Sequence, residues 1–265
     1  MSDTVGVIGA GRMGLPIIGH LVTKGFRTLA TDVNPKRKAD VEWKKAVWAE
    51  NAGALARESD IVLVCVGFDR EVQDLLEKNR DALKDSIVAI LSTVHPKTVK
   101  ALAKENKTFQ VIDSTVCRGG DAADKGALLS FVGGPKPVVE RVTPVLKAYS
   151  SDVVHTGEVG SAQVAKAVNN LIMWACLVAD HEGLALAKRH GVDVEMLRRA
   201  LGLSSAQNAA LDKWGKQTMA WAEDDMAIVA EMAAECGLKL PQAELNREIC
   251  RGLKPRRFQL DRYGK

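Results

Sequence analysis

The sequence predicts an α/β protein: a doubly wound, mostly parallel sheet followed by an all-helical C-terminal segment. Three observations carry this expectation. Short β-branched apolar runs alternate with helical stretches as far as residue 134. A glycine-rich turn joins the first strand to the first helix. After Gly160 the strand pattern stops, and a long helical stretch from about Ser161 to His190 opens a run of helices. Apolar strands separated by helices imply a parallel sheet covered on both faces.

The strands are read in order. "TVGVIG" (4–9) is followed by the turn "GAGRMG" (9–14) and the helical "LPIIGHLVTKG". "RTLATD" ends in Asp32, and residues 34–51 are expected to be helical after Pro35. "DIVLVCV" (60–66), "SIVAILST" (86–93), "FQVID" (109–113) and "LLSFVGG" (128–134) are further strands. "DREVQDLLEKNRDAL" and "HPKTVKALAKEN" supply helical connections. In the second half, helices are expected at about 161–190, 193–202, 205–222, 224–236 and 241–252, with stops at Gly191 and Gly237.

The glycine turn has the context that a dinucleotide fingerprint requires. It follows a strand, opens a helix, and an acid closes the second strand. Gly9 permits the tight turn, Gly11 lets backbone approach a pyrophosphate, and Gly14 lets helix and strand pack closely. Ala10, Arg12 and Met13 complete the turn. The pyrophosphate is expected on the helix N-terminus, where free N–H groups and the dipole favour an anion. Asp32 suits two ribose hydroxyls and repels a 2′-phosphate, so NAD is the expected cofactor. Nearby Lys36 and Arg37 keep NADP as the alternative. The expected architecture is therefore a Rossmann-type sheet domain, 1–160, followed by a helical substrate and dimerisation domain, 161–265.

The long helix poses a question of its own. It is apolar over most of its surface, yet it holds Lys166, Asn169 and Asn170. Lys166 and Asn170 share a face. A lysine is rarely fully buried without a partner or a task. From the residues alone, Lys166 either reaches solvent, with the asparagines capping a neighbouring loop, or works in a site.

Bulk properties exclude several classes. The chain has 265 residues, 46% hydrophobic and 26% charged, with a net charge of +4. That charge suits a small anion, and no aromatic-basic cluster of a nucleic-acid module is present. Five scattered cysteines without a C-x-x-C pair point to reduced thiols and a cytoplasmic location. The histidines show no metal-ligand spacing. The apolar run Leu171 to Ala179 is too short to span a bilayer, and no secretory signal is expected.

Four blocks, in order, resemble the β-hydroxyacid dehydrogenases, the family of the 3-hydroxyisobutyrate, tartronate-semialdehyde and 6-phosphogluconate dehydrogenases. They are "GVIGAGRMG", "LSTVHP", "DSTVCRGGDAADKGALLSFVGG" and "GEVGSAQVAKAVNN". The resemblance covers nearly the whole chain. It implies that Lys166 is the catalytic acid/base and that Asn170 orients the substrate. It puts Cys117, Arg118, Gly119 and Asn169 around a small anionic hydroxy acid, and Thr93 near the nicotinamide. It also implies a homodimer or homotetramer built through the helical domain. A lysine in an apolar cleft beside a cationic ring is the kind of base this oxidation needs.

The chain departs from the family pattern at three places. Cys117 replaces the usual serine, and Arg118 the following glycine. A thiol donates poorly, whereas Arg118 could grip an acid with two parallel bonds. Asp224 replaces a lysine, and the stretch from Trp214 to Asp225 lacks a phenylalanine-bearing loop. Two other readings stand beside the dehydrogenase: first an imine or carbonyl reductase, and second a nicotinamide-binding sensor with little turnover, which the Cys117 and Asp224 departures keep open. Imine-reducing relatives often replace the lysine, so Lys166 argues against the first.

Overall fold

A computed structural model describes residues 3–216, 218–254 and 258–264. It contains two compact units, divided between Lys166 and Ala167.

The first unit is a sheet covered by helices. In chain order its elements are β1 (Val5–Ile8), α1 (Gly14–Thr23), β2 (Thr28–Thr31), α2 (Arg37–Trp43) and β3 (Val47–Trp48). Next come α3 (Ala52–Arg57), β4 (Ile61–Val64), α4 (Asp69–Lys78), β5 (Ile87–Ile90) and α5 (Pro96–Glu105). The unit continues with β6 (Gln110–Cys117), α6 (Gly119–Asp124), β7 (Leu128–Gly133), α7 (Lys136–Leu146) and β8 (Ser150–Gly157). The sheet order is β3-β2-β1-β4-β5-β6-β7-β8.

All neighbouring strands are parallel except β6 and β7, which pair antiparallel from Asp113↔Gly133 to Cys117↔Leu129. The short link through α6 explains the exception, because a parallel return needs a longer crossover. Both faces of the central strands are buried. Val5 and Val7 join the core that holds Ile17 and Leu21, while Ile8, Val62 and Val64 join the core that holds Val72 and Val99. This two-sided burial is why these strands read as unbroken apolar runs.

Several stretches differ from expectation: β8 (Ser150–Gly157) is a strand where none was expected, β6 runs past Asp113 to Cys117, and two expected helical stretches are shorter. Within 34–51 the helix ends at Trp43, Lys45 takes a left-handed φ of 61°, and Val47–Trp48 form an edge strand. Among the described residues of 205–222, Ala209–Asp212 (α10) and the first residue of the next helix, Ala222, are helical, with positive φ between them at Gly215 (85°) and Met219 (55°).

The boundary between the units falls inside α8 (Ser161–Arg189). The second unit adds α9 (Val194–Leu201), α10, α11 (Ala222–Glu235) and α12 (Pro241–Leu253). Its core gathers Trp174, Leu177 and Val178 with Met226, Val229 and Leu253. By length and composition α8 could cross a membrane, but 39% of its most apolar window is buried within the chain. Its buried polar residues Gln163, Asn170 and His181 mark it instead as a core helix.

Candidate active site

The glycine turn folds as its residues require. Gly9 has φ +103°, and a Cβ there would meet the Cys65 carbonyl oxygen at 2.1 Å. A Cβ on Gly14 would meet the Gly9 carbonyl oxygen at 1.8 Å. Around Gly11 the space is open to 4 Å, which leaves its backbone approachable by a phosphate. Ala10 is buried, Met13 packs onto the core beneath the turn, and Arg12 is half-exposed. At the end of β2, Asp32 accepts from the Ala10 N–H at 2.7 Å and from the Asn34 N–H at 2.8 Å. The carboxylate is thus tied to the turn and keeps lone pairs for further donors. Burial, with the charge of Asp32 adding to it, pushes the Cys65 thiol beneath the turn up to about 11.

The carboxyl ends of β5 and β6 carry the next residues. Thr93 follows β5, half-buried, between two groups that Gln163 of α8 holds. The Gln163 amide donates to the Ser92 carbonyl at 2.8 Å and accepts from the Val94 N–H at 3.0 Å. Asp113 of β6 accepts from the Gly160 and Gln163 N–H groups at 2.7 and 2.9 Å. Burial raises the pKa of Asp113, and these N–H bonds oppose the shift. Thr115 Oγ1 donates to the Ala162 carbonyl at 3.0 Å. Asp113, Thr115 and Gln163 therefore fix the first turn of α8, where free N–H groups need acceptors.

Lys166 lies one turn further on. Its Nζ donates to the Val116 carbonyl at 2.7 Å and lies 3.9 Å from Cys117 Sγ. Cys117 is buried at the end of β6. Arg118 and Gly119 then turn the chain with φ 83° and 73°. The Arg118 guanidinium bonds Asp152 and Ser151 of β8, both at 2.7 Å, and the Ala127 carbonyl at 3.2 Å. Further along α8, Asn170 is buried and Asn169 donates to its Oδ1 at 3.0 Å. Asp224 lies in the first turn of α11. No group able to hold a metal occurs among the described residues.

The structure thus brings Lys166 to Cys117 and links Thr93 to the helix that carries Lys166. It ties the Arg118 guanidinium to the sheet edge instead. Sequence reading missed Asp113, Thr115 and Gln163. Asp113 and Thr115 were visible as part of the polar run Asp113-Ser114-Thr115 that follows the apolar Val111 and Ile112.

Two family matches cover the chain. The NAD-binding domain of 6-phosphogluconate dehydrogenase matches residues 4–157. The NAD-binding domain of NADP-dependent 3-hydroxyisobutyrate dehydrogenase matches residues 160–258. The chain belongs to the β-hydroxyacid dehydrogenase family. It is an NAD(P)-dependent oxidoreductase of the hydride-transferring kind, and the open backbone at Gly11 with Asp32 beside it fits a dinucleotide in the sheet unit.

Among its relatives, 2-(hydroxymethyl)glutarate dehydrogenase of Eubacterium barkeri is 26% identical over 268 residues, 95% of this chain and 89% of that one. The fold is shared with Mycobacterium tuberculosis 3-hydroxyisobutyrate dehydrogenase, at TM-score 0.86 and 20% identity over 97% of this chain and 95% of that one. It is also shared with an imine reductase from Myxococcus stipitatus, at TM-score 0.71 and 19% identity over 95% and 94%.

Proposed function

We propose that the chain is an NAD-dependent dehydrogenase of a small anionic β-hydroxy acid, with NADP as the alternative cofactor and Lys166 as general acid/base. The observation that carries this reading is the position of Lys166, which is half-buried with Nζ 2.7 Å from the Val116 carbonyl at the end of β6. A nicotinamide held by the sheet unit would supply the acceptor for the hydride of the carbinol carbon. Lys166 takes the hydroxyl proton as that hydride leaves, and returns it in reduction. The Val116 carbonyl occupies one N–H direction of the amine.

Asn170 and Asn169 orient the hydroxyl or carboxylate in this reading. The Cys117-Arg118-Gly119 bend receives the acid. The Arg118 guanidinium grips it only by exchanging Asp152 for the substrate carboxylate. Gly9, Ala10, Gly11, Arg12, Met13 and Gly14 hold the pyrophosphate, Asp32 the ribose, and Thr93 borders the nicotinamide. Residues 1–160 form the cofactor domain, and 161–265 the substrate and dimerisation domain.

A homodimer through α8 is part of the proposal. Val164, Val168 and Ile172 recur every four residues and are 39%, 48% and 58% exposed, an apolar stripe that suits a second copy. The five cysteines form no disulfide, which suits the cytoplasm. The likeness to an imine reductase supports imine reduction as a second reading, and Lys166 favours the alcohol.

The test is NADH formation across branched, sugar-derived and sulfonated β-hydroxy acids. Lys166→Ala is expected to lose at least about a hundredfold in kcat, the usual worth of a general base. Turnover unaffected by that substitution would remove the assignment. Light scattering on the same preparation is expected to give twice the chain mass, or four times for the homotetramer that is the alternative, and a monomer would remove the assembly.

A further inference from the structure

Arg12, in the glycine turn, is bonded to the helix that follows the Cys117-Arg118-Gly119 bend. Its two terminal nitrogens donate to the two Asp124 oxygens at 2.8 and 2.7 Å, with Asp121 at 4.0 Å. Gly120 makes room for this arrangement. A Cβ there would lie 2.4 Å from the guanidinium carbon. A second link lies alongside: His20 Nε2 of α1 is 3.0 Å from the Ala123 carbonyl and 3.2 Å from that of Asp124. Gly126 leaves the His20 ring its space, since a Cβ there would come within 3.0 Å of it.

Arg12 and Asp124 are 58% and 54% exposed, so the pair contributes little to stability. Its bidentate geometry does fix direction. An unrestrained arginine in a phosphate-binding turn would lose rotamer freedom whenever an anion bound. Held by Asp124, Arg12 has lost that freedom beforehand.

We infer that Asp124 and Gly120 position Arg12 for the dinucleotide phosphates, so that the cofactor turn and the substrate-side bend move as one piece. This rests on the reading of the turn as the pyrophosphate site. Asp124 is then a positioning residue, and the sign of its effect separates positioning from simple charge. Removing a negative group beside an anion-binding turn should tighten NADH binding if charge alone mattered. Loss of positioning should weaken it.

The experiment is fluorescence titration of NADH into wild type, Asp124→Asn, Gly120→Ala, Arg12→Lys and Arg12→Ala. Gly120 does not take a positive φ, so alanine there disturbs the guanidinium and leaves every charge in place. Asp124→Asn and Gly120→Ala are each expected to weaken NADH about tenfold, as for one charge-assisted hydrogen bond, with Arg12→Lys between them and wild type. Melting temperatures should move by no more than about 4 °C, as for a surface pair in a chain of this size. Unchanged or tighter NADH binding in Asp124→Asn, or no effect in Arg12→Ala, would overturn the inference. A wild-type chain that bound neither NADH nor NADPH would overturn the reading of the turn itself.

Discussion

The two ends of α8 are held by different means. At the first turn the partners are buried: Asp113 on the Gly160 and Gln163 N–H groups, Thr115 on the Ala162 carbonyl, and Gln163 on Ser92 and Val94. At the far end His181 lies against Trp214 and Phe258, ring centroids 4.5 and 5.4 Å away. The Phe258 N–H also donates to His181 Nε2 at 3.0 Å, and the ion pair and hydrogen bonds nearest the helix end are exposed: Lys188 on Asp261 at 2.7 Å, Tyr263 on Glu182 at 2.9 Å, and Arg189 on the Tyr263 carbonyl. A buried bond that is broken leaves a desolvated group without a partner, whereas water replaces an exposed one. The end held more tightly is the one that carries Lys166, and the general acid/base role proposed for Lys166 would require it to be placed closely.

The strongest way to break this contrast is Asp113→Ala. It strips the acceptor from two buried N–H groups at once. Each unmade buried bond costs about 1–3 kcal/mol, offset in part because the carboxylate no longer has to be buried, so a loss of about 2–4 kcal/mol is expected. Urea unfolding measures it. Activity should fall by more than the folded fraction, because the turn before Lys166 loosens. A variant with wild-type stability and kcat would mean that the first turn is held by something other than Asp113.

How much of this was legible in the sequence follows from range. Gly9, Gly11, Gly14 and Asp32 lie within one βαβ unit, and their spacing alone revealed the turn. Lys166 stood out because a cation in an apolar helix needs a reason. The network that fixes Lys166 joins residues 47 to 71 positions apart, such as Thr115 with Ala162 and Ser92 with Gln163, and no local period encodes such pairs. Strand β8 reads "SSDVVHTG", polar enough at the sheet edge to hide its alternation. The reach of Arg118 to Asp152 was equally hidden, because Asp152 lies on that unread strand.

Acid should act on the two ends in opposite directions. His181 Nε2 accepts from the Phe258 N–H at 3.0 Å, so the proton is assigned to Nδ1, which donates to the Leu177 carbonyl at 2.7 Å. Burial lowers the pKa of His181. Its contribution is therefore present above the unfolded value of about 6.5 and is lost as pH falls through the lower folded value. The pKa of Asp113 is raised by burial, so its contribution is full below the unfolded carboxylate range and is lost as pH rises through the folded value. Between pH 7 and 5 the far end of α8 should be the one that weakens. Exchange of amides near His181 should quicken there before exchange near Gly160 does, and His181→Gln should flatten that difference. Uniform quickening along α8 would mean that His181 does not govern the acid response.

The smallest effect belongs to the surface. Lys188 and Asp261 are 46% and 73% exposed, and their 2.7 Å contact lies where water competes for both charges. Lys188→Ala should cost about 0–1 kcal/mol, and less in high salt, where exposed charges are screened. It should leave kcat untouched, because the first turn of α8 keeps its own buried anchors. The useful comparison is with Asp113→Ala in the same urea series. Screening by salt should remove the Lys188 effect and leave the Asp113 effect standing, since a buried backbone donor gains nothing from dissolved ions. If salt instead erased both, the end that carries Lys166 would be held by charge rather than by hydrogen bonds to backbone, and the distinction between the two ends of the helix would fall.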